Sequence, residues 1–201
     1  MAAEHTELDK LYTCGNWTNS GRKPAEVKEH FYTILTECYE ANRKNVPVLE
    51  NVDYGSQYLD IWGKDPEKAD KICIFIYGGY WQEREKKYAT SLVGPATEQG
   101  IPVVCINYDY ATNNTMDHLV VQIGSALKFV ATKFPDAKLN ITVHSAGALL
   151  VVNALCQLED ASRFDELIIF SGVFQLEDLA KTYIGRNIKY RKAQKVDFVI
   201  F

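Results

Sequence analysis

The sequence predicts an α/β fold in which helices cover both faces of a mostly parallel sheet. Short continuous apolar runs recur along the chain, and such runs are typical of strands that are buried on both faces. Segments with helical periodicity separate these runs, and strands that alternate with helices form parallel sheets. At 201 residues, one domain is the simplest organisation, so we expect a single domain over residues 1–201.

The N-terminal part of that domain, residues 1–45, is predicted to be a helical extension. Residues 6–22 mix polar and aromatic side chains and are interpreted as irregular. Pro24 favours the start of a helix, because the first helical turn does not need the N–H that proline lacks. Apolar residues then recur at steps of three and four, which predicts a helix that ends within residues 42–45.

A turn signal at Gly55, Ser56 and Gln57 separates two short strand candidates, residues 51–54 and 58–62. Two such strands around a short turn predict an antiparallel hairpin.

The remaining elements alternate between strand and helix. The predicted strands are residues 72–77, 101–108, 139–144 and 166–170. The predicted helices are residues 86–99, 116–134 and 146–158, with Thr115 as a cap and Pro135 as a stop for the second. A last strand is predicted at residues 196–201. Because a sheet of this type normally continues through further strand–helix units, we expect its C-terminal strands to be missing from this sequence.

The composition argues against several classes of function. The net charge is −4, and no basic run is long enough to favour nucleic acid. No apolar stretch reaches the roughly 18 residues of a membrane-spanning helix, and the acidic start does not resemble a secretory signal. The five cysteines are odd in number and widely spaced, which favours buried, reduced thiols over disulfides or a metal site. We therefore expect a cytoplasmic protein, with the nucleus as a second compartment.

Ser145 points most directly to chemistry. It lies in His144-Ser145-Ala146-Gly147, between a predicted strand and a predicted helix, which is the context of a nucleophile elbow. The sharp turn usually has glycine two residues before and two residues after the serine. Gly147 fills the second position, whereas Val143 occupies the first. The alternative interpretation is a strand–helix junction whose serine only caps a helix.

A double-glycine loop, Tyr77-Gly78-Gly79-Tyr80-Trp81, follows the first buried strand. In hydrolases with such an elbow, a glycine-rich loop at this place supplies backbone N–H groups to the oxyanion hole. The second donor is the N–H of the residue after the nucleophile, here Ala146. Glycine lets the backbone approach a substrate oxygen closely. The alternative is an ordinary glycine turn with two packed aromatic residues.

Together, Gly78-Gly79-Tyr80-Trp81-Gln82 and His144-Ser145-Ala146-Gly147-Ala148 resemble the kynurenine formamidase (arylformamidase) family of the α/β-hydrolase superfamily. The resemblance extends from the start of the chain to about residue 188. It implies an α/β-hydrolase-like fold, no metal or organic cofactor, and hydrolysis of N-formyl-L-kynurenine to formate and L-kynurenine in tryptophan catabolism. It implies Ser145 as the nucleophile and Gly78, Gly79 and Ala146 as the oxyanion hole. Tyr80 and Trp81 are candidates to border an aryl pocket.

Three features depart from the family pattern. Tyr77 stands where the family has histidine, and Val143 replaces the first elbow glycine. The triad aspartate and histidine of the family lie in a C-terminal part without counterpart here, and no histidine follows Ser145. A serine without a base is a poor nucleophile, so we expect impaired catalysis in a truncated product, either an alternative isoform or an incomplete gene model.

Two further functions stay open at this point. The chain could be a carboxylesterase of the His-Gly-Gly group, or a non-catalytic isoform that acts as a binding or partner module. For either enzyme the expected partner is a small aryl-formamide or ester, with no nucleic acid and no membrane, and a homodimer is left open. Missing strands would expose a sheet edge and apolar surface, which favours association.

Overall fold

A computed structural model describes residues 6–83 and 86–189. Its centre is a six-stranded sheet in the order β1-β2-β4-β3-β5-β6. The strands are β1 (Val48–Asp53), β2 (Tyr58–Trp62), β3 (Lys71–Ile76), β4 (Val103–Ile106), β5 (Lys138–His144) and β6 (Phe164–Phe170).

The sheet combines an antiparallel hairpin with a parallel core. β1 pairs antiparallel with β2, and β2 pairs antiparallel with β4. The pairs β3–β4, β3–β5 and β5–β6 are all parallel. The predicted fold class is therefore confirmed, including its N-terminal hairpin. The strand predicted at residues 196–201 lies outside the described residues.

Five α-helices accompany the sheet. They are α1 (Glu7–Tyr12), α2 (Pro24–Asn45), α3 (Val93–Glu98), α4 (Met116–Lys133) and α5 (Gly147–Gln157). Pro24 begins α2 as predicted, and the Thr115 hydroxyl caps α4 by accepting the His118 backbone N–H at 3.3 Å. No helix in the described part of the chain is both long and apolar enough to cross a bilayer.

Residues 6–22 are more ordered than expected. Thr6 caps α1 through a capping box, in which Asp9 N–H donates to the Thr6 hydroxyl at 3.1 Å and Thr6 N–H donates to Asp9 Oδ2 at 2.9 Å. A 3₁₀ turn, Cys14–Trp17, follows. The prediction of an irregular segment was wrong because two reciprocal side-chain bonds stabilise a helix too short to show periodicity.

The predicted helix at residues 86–99 was also wrong. The structure has a 3₁₀ turn at Lys86–Ala89, and α3 begins only at Val93. Pro95 is the physical reason, because proline is tolerated in the first turn of a helix and breaks the helix further in. The helix therefore has to start close to Pro95.

The core lies around the three central strands. Ile74 of β3, Val104 of β4 and Ile141 of β5 have no exposed surface, and α4 and α5 bury their apolar faces. All five cysteines are free thiols. Cys105 is buried as expected, but Cys14 and Cys156 are exposed, which corrects the expectation of buried thiols for these two.

Among the described strands, β6 forms the edge of the sheet beside β5, and it is unusually apolar for an edge. Leu167, Ile168, Ile169 and Phe170 are consecutive, and 37–51% of the surface of each is exposed. Because successive side chains of a strand point to opposite faces, apolar surface is exposed on both faces of this edge.

Candidate active site

Ser145 lies at a sharp bend between β5 and α5. Its φ of +56° is in the left-handed region, which is strained for a non-glycine residue. Backbone hydrogen bonds hold the bend, since Ser145 N–H donates to Phe170 O at 2.8 Å and Ala148 N–H donates to Ser145 O at 3.1 Å. The strand, strained turn and helix expected for a nucleophile elbow are therefore present, and Ser145 is half-buried.

The two elbow positions beside Ser145 have different steric demands. A Cβ on Gly147 would lie 2.5 Å from Tyr77 O, so only glycine fits. Val143 is a buried β5 residue paired with Ile76 of β3 and Ile169 of β6, and its φ is not positive. The departure from glycine at Val143 is thus accommodated, because the backbone there is ordinary strand and the side chain packs in the core.

The double-glycine loop lies directly against the elbow. A Cβ on Gly78 would lie 2.6 Å from Ser145 Cβ, 2.9 Å from His144 O and 3.1 Å from Ala146 N. The loop backbone therefore approaches both the serine and the amide nitrogen that follows it. Gly79 has a φ of +110°, and Tyr80 and Trp81 follow at +48° and +56°. Three successive residues with positive φ turn the chain tightly beside Ser145.

Trp81 connects the loop to the elbow. Its indole N–H donates to Ala146 O at 2.7 Å, and its side chain has no exposed surface. A role for Trp81 at the border of an aryl pocket stays a prediction, and its complete burial does not favour that role. The sequence shows an aromatic residue after the glycines but not the direction of its ring, so the hydrogen bond to Ala146 could not be foreseen.

Tyr80 is the one of the two aromatic candidates that keeps partial exposure. Its hydroxyl donates to Tyr12 O at 2.9 Å and lies 3.6 Å from Cys14 Sγ. Burial raises the pKa of Tyr80 well above its ordinary value, so the hydroxyl stays protonated at neutral pH. The N-terminal extension is thereby attached to the loop, and a pocket role for Tyr80 stays a prediction.

Tyr77 takes a buried polar position at the start of the loop. Its hydroxyl donates to Asn107 Oδ1 at 2.7 Å, and its ring stacks on Tyr108 with centroids 4.9 Å apart. Tyr108 in turn donates its hydroxyl to Tyr77 O at 2.9 Å and to Gly78 O at 3.3 Å. Sequence reasoning missed Asn107 and Tyr108, although polar residues directly after β4 were a usable signal, since ligands of α/β sheets bind at the carboxyl ends of strands.

The histidines are distributed over several elements. His118 lies in the first turn of α4, and its Nε2 is 3.0 Å from Asp109 Oδ2. His144 is the last residue of β5. Within residues 6–83 and 86–189, no group of three His, Cys, Asp or Glu side chains could hold a metal ion.

Comparison with known proteins places this geometry in context. No family model matches the chain. A kynurenine formamidase of Salmo salar is 27% identical over 192 residues, which cover 91% of this chain and 65% of the relative. A kynurenine formamidase of Danio rerio is 26% identical over the same shares. The chain thus spans about two thirds of the length of these curated relatives.

Solved structures of similar fold are esterase-like. A Silicibacter protein provisionally assigned as a thioesterase superposes with a TM-score of 0.77 at 21% identity, over 90% of this chain and 69% of that chain. Esterase B of Lactobacillus rhamnosis, bound to a tributyrin phosphonate, has a TM-score of 0.61 at 15% identity, over 81% of this chain and 62% of that chain. The chain has the α/β-hydrolase fold and is a homologue of the kynurenine formamidases, which are hydrolases.

Proposed function

We propose that this chain carries the nucleophile and the oxyanion hole of a formamidase-like serine hydrolase, with N-formyl-L-kynurenine as the substrate. Ser145 would attack the formyl carbon, and the N–H groups of Ala146 and of the Gly78-Gly79 loop would stabilise the negative oxygen of the tetrahedral intermediate. The observation that carries this proposal is the contact between Gly78 and the Ser145–Ala146 bend.

The orientation of the Ser145–Ala146 peptide supports the proposal. Ser145 O accepts the N–H groups of Ala148 at 3.1 Å and Val173 at 3.4 Å. In a trans peptide the C=O and N–H point in opposite directions, so the Ala146 N–H is turned away from these donors. Ala146 N is the atom that a Cβ on Gly78 would approach to 3.1 Å, which places this donor beside the glycine loop.

We expect turnover by the 201-residue chain to be slow. None of its histidines follows Ser145, and a serine hydroxyl without a general base is a weak nucleophile at neutral pH. A site that lacks triad members keeps only the acceleration from the oxyanion hole and binding, about 10³–10⁴ over water. We therefore expect steady-state hydrolysis of formylkynurenine to stay at or below this residual level, far below that of a complete triad.

Labelling with a fluorophosphonate probe tests the site itself. The probe forms a tetrahedral adduct on an activated serine, and digestion followed by mass spectrometry identifies the modified residue. We expect slow labelling at Ser145 that is lost in Ser145→Ala, with Ser125 and Ser162 of the same molecule as internal controls. Labelling of Ser145 no faster than of these two serines would overturn the proposed site. Rapid Ser145-dependent turnover would instead overturn only the proposed impairment.

An esterase of small esters is the second candidate, and the esterase-like solved structures favour it. The two candidates share the nucleophile and the oxyanion hole and differ in the leaving group. Parallel assays with formylkynurenine and p-nitrophenyl acetate separate them, with Ser145→Ala as the blank for each. A non-catalytic binding role predicts equal rates for the chain and for Ser145→Ala on both substrates.

A further inference from the structure

A chain of side-chain hydrogen bonds connects the double-glycine loop to residues beyond β4. The Tyr77 hydroxyl donates to Asn107 Oδ1 at 2.7 Å. Asn107 Nδ2 donates to Gln57 Oε1 at 2.9 Å, and Gln57 Nε2 donates to Asp109 Oδ1 at 2.8 Å. Four side chains from the loop, the hairpin turn and the end of β4 are therefore joined in series.

The far end of this series is fixed on a helix. Gln122 of α4 donates Nε2 to Asp109 Oδ2 at 3.0 Å and accepts the Asp109 backbone N–H at 2.9 Å. His118 of α4 lies 3.0 Å from the same carboxylate oxygen. Burial opposes ionisation of Asp109, but hydrogen bonds from Gln57, His118 and Gln122 outweigh it and lower the pKa, so the side chain is a carboxylate.

This carboxylate determines the direction of every bond in the series. An ionised aspartate only accepts hydrogen bonds, so Gln57 has to present its amide nitrogen to Asp109. Gln57 Oε1 therefore faces Asn107, and Asn107 has to donate to it through Nδ2. Asn107 is left with its oxygen towards Tyr77, and Tyr77 has to donate. The Asp109 carboxylate thus decides which side-chain amide atom of Gln57 and of Asn107 is oxygen and which is nitrogen.

We propose that Tyr77 and Asn107 are positioning residues for the oxyanion loop, held in place by the Asp109 carboxylate through Gln57. Tyr77 directly precedes Gly78, and Tyr108 binds the carbonyl oxygens of both residues. The orientation of the Tyr77 ring therefore controls the backbone that reaches Ser145. This inference rests on the proposed function for the meaning of the loop, but the positioning itself can be measured without catalysis.

Two matched hydroxyl deletions test the proposal. Tyr77→Phe keeps the stacked ring and removes the bond to the Asn107 side chain. Tyr54→Phe is the control, because the Tyr54 hydroxyl donates to Asn107 O at 2.7 Å, from the hairpin side. Both changes remove one largely buried hydroxyl that is bonded to the same residue. Amide hydrogen exchange of Gln82, whose N–H donates to Gly79 O at 3.0 Å, then reports the loop, and exchange in β3 and β5 reports the fold.

We expect exchange of the Gln82 amide to accelerate about tenfold in Tyr77→Phe, as for the loss of one buried hydrogen bond, and to change little in Tyr54→Phe. Equal effects of the two variants on the loop would overturn the proposal, because the hydrogen bonds from Tyr77 to Asp109 would then stabilise the fold without positioning the loop. Should Tyr77→Phe not fold, Asp109→Asn tests the same series from its far end. That variant should also accelerate exchange of the Gln82 amide, and unchanged exchange there would overturn the proposal.

Fluorophosphonate labelling separates this inference from the proposed function. If Ser145 is labelled in the unmodified chain, Tyr77→Phe should label several-fold more slowly than Tyr54→Phe. If Ser145 is not labelled at all, the proposed hydrolase site fails, and the exchange rates still decide whether Tyr77 positions the loop.

Discussion

Gly78 faces Ser145 so closely that a methyl group on Gly78 would lie 2.6 Å from Ser145 Cβ. The other atoms in its way, His144 O and Ala146 N, belong to the backbone and cannot rotate aside. We therefore expect Gly78→Ala to displace the loop from the elbow, to lower the free energy of unfolding by about 1–3 kcal/mol, and to slow the labelling of Ser145. Urea denaturation and probe labelling measure the two effects.

Gly124 of α4 supplies the control for this substitution. A Cβ there would meet nothing within 4 Å, and the residue lies inside a helix. Gly124→Ala should raise the free energy of unfolding by about 0.5–1 kcal/mol and leave Ser145 labelling unchanged. If Gly78→Ala did not lower the free energy of unfolding relative to the unmodified chain, the close contact with the elbow would be contradicted.

The left-handed backbone of Ser145 predicts an unusual order of stability. Left-handed φ costs an L-residue about 1–2 kcal/mol, and glycine avoids this strain. Ser145→Gly should therefore be more stable than Ser145→Ala by about 1 kcal/mol, although neither variant can be labelled at residue 145. Denaturation of both variants under identical conditions gives the comparison. Greater stability of Ser145→Ala would argue against a strained elbow.

The two fully buried tryptophans differ in one hydrogen bond. Trp81 donates its indole N–H to Ala146 O, whereas Trp62 Nε1 is buried and has no hydrogen-bond partner among the described residues. Tryptophan-to-phenylalanine changes remove similar volume at both positions. We expect Trp81→Phe to lose about 0.5–1.5 kcal/mol more free energy of unfolding than Trp62→Phe, because it removes a buried hydrogen bond to Ala146 O. Similar losses would show that the bond contributes little.

Asp109 predicts a specific dependence of stability on pH. Its pKa in the folded state is lowered from 3.8, so it contributes stability above that unfolded value, and this contribution disappears as the pH falls through the folded-state pKa. Asp109→Asn should be less stable than the unmodified chain by about 1–3 kcal/mol at pH 7, and the difference should shrink below pH ~4. Thermal denaturation at pH 7, 5 and 3 measures it. A difference that is constant with pH would exclude a role for the charge.

The apolar edge strand β6 predicts self-association. Unpaired edges with exposed apolar side chains on both faces attract further strands. Ile168→Lys should reduce the average mass in analytical ultracentrifugation with little effect on folding. Val121→Lys is the control, because Val121 is a 61% exposed residue on the surface of helix α4. An average mass that falls equally in both variants would point to net charge rather than to the edge.

Sequence periodicity was sufficient for most of the fold. The continuous apolar runs of β3, β4 and β5 correspond to buried strands, whereas the equally apolar run of β6 is exposed at the edge of the sheet. Ser145 follows β5 directly before a helix. Where prediction failed, a local bond decided the structure: the Thr6–Asp9 capping box formed α1, and Pro95 shortened α3. The proximity of Gly78, Ser145 and Ala146 was predictable because loop and elbow both follow adjacent parallel strands.

The contacts that hold the site were not predictable. Trp81 and Tyr77 are aromatic residues beside glycines in the sequence, and nothing in the local pattern indicates whether their polar atoms face substrate or protein. The partners Ala146 and Asn107 are 65 and 30 residues away. Such pairings depend on strand order, and so they became visible only in the assembled sheet.

The hydrogen bonds that join residues 80–82 to Tyr12 and Ile184 have a consequence for biosynthesis. Gln82 Nε2 donates to Ile184 O at 2.8 Å, and the Tyr80 hydroxyl donates to Tyr12 O. The Tyr183 N–H donates to Asp9 Oδ1. The bonds of Gln82 to Ile184 and of Asp9 to Tyr183 cannot form until residues 183 and 184 have left the ribosome, long after the central strands can begin to pair. The attachment of this segment is therefore completed only late in synthesis, and a translating intermediate would already display the bend at Ser145 before these two bonds exist.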